Sequence, residues 1–167
     1  MKNLKILVLL ALLACVLFVQ EEALFFLPNI QFTFLLLICY VDCLGFRKTS
    51  LIVFAHVLLD NLVMGSLSLI VVIPMLVGYI ITILIKKAYH KDNVYIIGLF
   101  GSLGAIVYSL SFLITNAFFL EIDIWAYFLA DIPFTLILVI STYLSIIWLY
   151  KPIIKIINQQ YQKYLND

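Results

Sequence analysis

Four ionisable side chains stand where so apolar a chain has little room for them. Asp42, His56, Asp60 and Asp131 fall within or at the ends of long hydrophobic runs, and a charge in such a run is costly enough to need a reason. His56 and Asp60 have the i, i+4 spacing, so on a helix they share a face and can touch. Such a pair suits either a proton relay or a local polar contact turned into a bundle. Asp42 lies shortly before Arg47 and reads as a helix-end acid that reaches water or that arginine. Asp131 comes just before Pro133, whose missing N–H loosens a helix. A polar group beside a loosened turn either borders a substrate cavity or is a satisfied acid at a kink. Asp60 and Asp131 offer the two carboxylates that an aspartate protease chemistry needs, but nothing in the sequence requires them to meet. The chain has no G-x-S-x-G, no H-E-x-x-H and no glycine-rich phosphate loop, and His56 and His90 fall in different topological compartments. It reads as a non-enzyme without a metal or cofactor. Cys15, Cys39 and Cys43 lack partners at metal spacing and read as small packing residues.

The elements that must position these residues follow from composition. Of 167 residues, 66% are hydrophobic and only 11% charged, too few charges to cover a soluble domain. The apolar runs approach the length that crosses a hydrocarbon core of about 30 Å at about 1.5 Å per helical residue. The expected fold is an all-α integral membrane protein, a bundle of six transmembrane helices over residues 4–19, 30–46, 50–64, 67–85, 94–118 and 125–150, with a polar tail over 151–167. The ten basic residues form patches at Lys2/Lys5, Arg47/Lys48, Lys86/Lys87/Lys91 and Lys151/Lys155/Lys163. The intervening gaps carry Glu21, Glu22, Glu121 and Asp123 instead. Lysine and arginine near span ends stay on the cytoplasmic side, so both termini are expected there. The 30–46 and 50–64 spans contain polar residues; losing them as a hairpin would leave four spans but would strand Arg47 and Lys48 on the wrong side. The first run resembles a secretion signal, and Leu12-Leu13-Ala14-Cys15 a lipoprotein processing site. The apolar run continues past the cysteine, which favours an uncleaved span. The chain is one domain, and its net charge of +1 gives no ground for nucleic-acid binding.

This topology gathers residues 28–33, Asn61, Asn116, Asp123 and Trp125 on the outer side. Asn29, Gln31 and Thr33 alternate after Pro28, which suggests an extended segment over a cavity, or a plain loop with Asn29 capping the next helix. Trp125 and Tyr127 suit interface anchors or ligand-stacking groups equally. Gly98, Gly101, Ser102, Gly104, Ala105 and Ser109 crowd one span, and small residues at such spacing let helices approach in lipid. Ala11 and Cys15, with Ala14 beside them, form a similar set on the first helix, for internal packing or for a partner protein.

The order of several short motifs resembles the substrate-binding membrane subunits (S components) of energy-coupling factor transporters. The residues that carry the likeness are Leu27-Pro28-Asn29-Ile30-Gln31-Phe32-Thr33, then Gly45 and a basic turn, then Leu59-Asp60-Asn61-Leu62-Val63-Met64-Gly65-Ser66. Asp131-Ile132-Pro133-Phe134 and Leu149-Tyr150-Lys151-Pro152-Ile153-Ile154-Lys155 are similar to the last helix of that family. The resemblance implies a multi-pass protein of the bacterial cell membrane that binds a vitamin or similar micronutrient. It also implies docking onto a transmembrane coupling protein that carries two ATP-hydrolysing subunits, with this chain hydrolysing no ATP, and substrate release by toppling of the loaded binder. Asn29, Gln31, Thr33, Asn116, Trp125, Tyr127 and Asp131 would then hold substrate, and Ala11, Ala14 and Cys15 would meet the coupling protein. The sequence departs from the family where Cys15 replaces a second alanine, Thr135 replaces an acid, and Ser141-Thr142 stands near an expected asparagine. The rod-shape-determining MreD scaffolds, which bind no ligand, are similar in length and span number and form the second resemblance.

Overall fold

The computed structural model describes residues 2–65, 67–89 and 93–166, without the side chains of residues 2, 3 and 164–166. Ser66, His90 and Lys91 lie outside the described residues. The described chain is helical throughout, with α1 (Lys2–Ala23), α2 (Thr33–Leu44), α3 (Phe46–Val63), α4 (Leu69–Ala88), α5 (Val94–Leu120) and α6 (Ile124–Asn166). Four stretches, Leu4–Ala23, Leu69–Ala88, Val94–Leu120 and Ile124–Lys163, are long and apolar enough to cross a membrane.

α2 explains why the remaining two differ. It has 12 residues, about 18 Å of helix, and does not span a bilayer by itself. Every residue from Thr33 to Val41 is buried, as is Leu44. A helix that is apolar on all sides has no outward face and belongs inside a bundle. α2 accordingly touches each of the other helices. Its partner α3 carries Arg47, Lys48, His56 and Asp60 and buries the last two.

The helix bounds move in places from those expected. α1 continues to Ala23, so Gln20, Glu21 and Glu22 are helical residues and not part of an outer loop. Residues 24–32 form turns, with no extended segment. α2 begins after Phe32, which makes no side-chain cap, so Asn29 is not its cap. Asn29 instead adopts a left-handed backbone, φ 58°, which asparagine tolerates better than most residues. The stretch after Lys151 continues α6 without a break through Pro133 and Pro152, so the tail is part of one 43-residue helix.

The small residues of α5 let its neighbours close in. A side chain at Gly101 would collide with Ile146 of α6, and one at Gly104 with Thr82 of α4. From the other side, a Cβ on Gly78 of α4 would lie 2.7 Å from the Tyr108 backbone. Ser102 donates to the Val139 carbonyl at 3.2 Å across the α5–α6 seam. Cys39 and Cys43, one turn apart on α2, point their thiols at the Tyr150 and Ile154 carbonyls of α6.

Gly104→Leu is expected to destabilise the bundle by about 1–3 kcal/mol, the usual cost of overpacking. Thermal unfolding in detergent measures this. Leu103→Ala, at a position 45% exposed, serves as the control and should shift the midpoint far less.

Candidate functional site

Two polar clusters close the ends of α2. At its start, Gln20 of α1 accepts from the Phe32 N–H at 2.8 Å and donates to the Thr33 hydroxyl at 2.6 Å. Thr33 in turn donates to Glu21 Oε1, and Tyr79 of α4 donates to the same oxygen at 3.2 Å. The other carboxylate oxygen of Glu21 lies 3.3 Å from His56 Nε2 of α3. That contact is close enough for an ion pair but out of line for a hydrogen bond, and both imidazole nitrogens lack a hydrogen-bond partner. The His56 imidazole therefore faces Glu21 and makes no bond to Asp60, its i+4 neighbour. At the far end of α2, Asp42 pairs with Lys86 of α4 at 2.6 Å and accepts from Tyr150 of α6 at 2.6 Å. The Lys86 side chain is 3% exposed. Arg47 is not the partner of Asp42.

Beyond the first cluster a row of rings runs from α3 to α5. His56, Tyr79 and Tyr108 follow with centroid separations of 5.9 and 5.2 Å, and Phe112 lies 5.0 Å beyond Tyr108. Phe34 of α2 meets Tyr79 and Tyr108 edge-on. This row ends at a cavity of about 200 Å³ between α5, α6 and the α1–α2 turn. Asn29, Tyr127 and Asp131 line it together with Tyr108, Ser109, Phe112, Thr135 and Leu138. Ser109 and Thr135 donate to Asp131 Oδ2, the latter at 2.7 Å. A second, apolar groove of about 270 Å³ lies across Asp131 and shares Ser109 and Thr135 with the first.

Local sequence accounts for this geometry. Glu121 ends α5 in a left-handed conformation, φ 53°. Asp123 then accepts from the Ala126 N–H at 2.9 Å, as a helix N-cap does. The short turn brings Asn116 onto the Tyr127 hydroxyl, to which it donates at 2.9 Å. The α1–α2 turn is held against the middle of α6 because Ser141 donates to the Asn29 carbonyl at 3.2 Å.

Of the residues singled out from sequence, Asn29, Tyr127 and Asp131 line one cavity, and Asn116 holds Tyr127 from behind. Thr33 is fully buried in the Glu21 cluster, and Gln31 sits beside it at 3.4 Å. Trp125 is 75% exposed and packs against Phe128, away from the cavity. On α1, Ala11 and Cys15 face outward while Ala14 is buried. Sequence reasoning did not mark Glu21 or Lys86 as partners inside the bundle, nor Tyr108 and Phe112 as cavity walls. Their signal was spacing: 108, 109 and 112 share one helix face, as do 131 and 135. No family model, curated protein or solved structure matches the chain.

Removing the Glu21 carboxylate orphans buried donors. Glu21→Ala is expected to cost about 1–3 kcal/mol, the penalty for unsatisfied buried groups, and Glu21→Gln less, because the amide oxygen still accepts. Asp42→Asn should cost about 3–5 kcal/mol by leaving the buried Lys86 without its counter-charge. Adding Lys86→Met should recover part of that loss. Denaturant titrations of the four variants check both statements.

Proposed function

We propose that this chain is the substrate-binding membrane subunit of an energy-coupling-factor importer, taking up a vitamin or similar micronutrient across a bacterial cell membrane. The observation that carries the reading is the cavity itself. Residues from the α1–α2 turn, mid-α5 and early α6 converge on it, and two of them, Asn29 and Asp131, belong to the segments that resemble the S components. A ligand-free scaffold has no need of such convergence.

Charge distribution supports a bundle of six membrane helices with both termini cytoplasmic. Lys5, Arg47, Lys48, Lys86, Lys87, Lys151, Lys155 and Lys163 belong to the end that holds the α2–α3 junction, the close of α4 and the α6 extension. The opposite end carries Glu21, Glu22, Glu121 and Asp123 and, among the described residues, no lysine or arginine. With the basic end inside, the cavity faces outward, where an importer meets its substrate. α2 then lies within the membrane largely surrounded by protein, and α3 buries one face, with His56 and Asp60, against the bundle. The exposed α1 face with Ala11 and Cys15 meets the coupling protein, whose two associated subunits hydrolyse the ATP. The chain itself performs no catalysis, and its substrate is a small molecule.

Purification in mild detergent followed by mass spectrometry of bound small molecules tests the binder. A retained micronutrient-like ligand supports it; co-purification of cell-shape proteins with no ligand favours the scaffold. Docking has its own test. Ala11→Trp and Cys15→Trp should each weaken capture of the coupling protein about tenfold or more while ligand retention persists. Ala14→Trp, at a buried position, should instead lower thermal stability. Undiminished capture by both surface variants would count against this docking face.

A further inference from the structure

We infer that the cavity takes a cationic small molecule built on a ring, a protonated or quaternary amine attached to a single flat body. This inference rests on the binder reading above and narrows its substrate class.

Among the described residues, Asp131 is the only carboxylate that lines the cavity. Both hydroxyl donors, Ser109 and Thr135, bond its Oδ2. Among the described residues Oδ1 receives no hydrogen bond. Nor does Asp131 have a counter-charge, since the ion pairs among those residues are His56–Glu21 and Lys86–Asp42. The lack is regional, because no lysine or arginine occurs between residues 94 and 150 or between 6 and 46. Carboxylates within apolar surroundings are ordinarily paired. A cationic ligand would supply the positive charge that the surrounding chain does not.

The walls suit the same ligand. Tyr108, Phe112 and Tyr127 line the cavity beside Asp131, and aromatic faces attract cations through their quadrupole. Tyr127 is fixed by Asn116 at 2.9 Å, so its ring is held in place before any ligand arrives. An anionic ligand would meet Asp131 and, among the described lining residues, no cationic donor. A cavity of about 150 Å³ holds benzene, so about 200 Å³ has room for one ring and a small amine head.

The test uses the full chain in detergent with benzyltrimethylammonium as probe, and benzyl alcohol and benzoate as its neutral and anionic counterparts. Thermal unfolding and intrinsic fluorescence titrations read binding. Benzyltrimethylammonium should bind saturably and raise the unfolding midpoint, and the two counterparts should not. Asp131→Asn should weaken its Kd about tenfold or more, as loss of a desolvated charge partner does. Tyr127→Leu, which leaves the acid in place, should weaken it about threefold, and it carries the test if Asp131→Asn does not fold. Equal binding by these variants, or tighter binding of benzoate, overturns the inference. A co-purified neutral or anionic ligand that is lost in Ser109→Trp but kept in Asp131→Asn also overturns it, while the binder reading stands. A folded protein that binds no probe and carries no ligand overturns both.

Discussion

The structure depends on a helix too short to cross a membrane. α2 is 12 residues long and buried along nearly its whole length. Its start therefore opens into the interior of the bundle, where water does not satisfy backbone and side-chain polar groups, and beside its other end Lys86 is buried as well. The first cluster supplies what water would have supplied. Gln20 takes the Phe32 N–H, and Glu21 gathers Thr33, Tyr79 and His56. The second cluster does the same at the other end with Asp42, Lys86 and Tyr150. Each cluster also fastens neighbours, α1, α3 and α4 at one end and α4 and α6 at the other. A buried ion pair of this kind adds little net stability over a well-packed apolar pair. Its effect here is on register, since each carboxylate finds its partners in one alignment of the helices.

The remaining half of the bundle is set by absent side chains. Gly101 and Gly104 let α6 and α4 approach α5 more closely than a Cβ allows. In lipid, where apolar burial gives helices no driving force to associate, such close packing is a main source of cohesion. The approach aligns Ser109 with Asp131 and Thr135. The turn through Glu121 and Asp123 does the same for Asn116 and Tyr127. The cavity thus lies along the α5–α6 seam beside the α1–α2 turn, and its polar lining is in place without a ligand.

The two ends of the molecule differ in charge as well as in shape. Acids and aromatic rings crowd the end with the cavity, and the lysines and arginine crowd the end with the α6 extension. Under the proposed function this separation assigns ligand capture to one face and leaves the other for cytoplasmic contacts. The outward face of α1 connects them along the membrane.

How much of this was legible in the sequence differs from residue to residue. The helical class, the apolar helices α1, α4, α5 and α6, and the charge asymmetry follow from local composition, because run length and lysine placement are properties of neighbouring residues. Asn29, Asn116, Tyr127 and Asp131 were visible as polar groups in apolar context, without any indication that three of them share a cavity. The partners of Glu21 and Asp42 were not visible. Glu21 resembles a loop acid until α1 is seen to continue past it, and Lys86 lies far along the chain from Asp42. Thr33 and Trp125 read alike from sequence as residues near one membrane face, yet one is locked inside the bundle and the other stands outside it. Local composition dictates which segments are apolar helices and where the charges fall along them. Which polar groups face each other is set in the folded bundle, because that depends on helix rotation and close approach, which residues distant in the chain fix together.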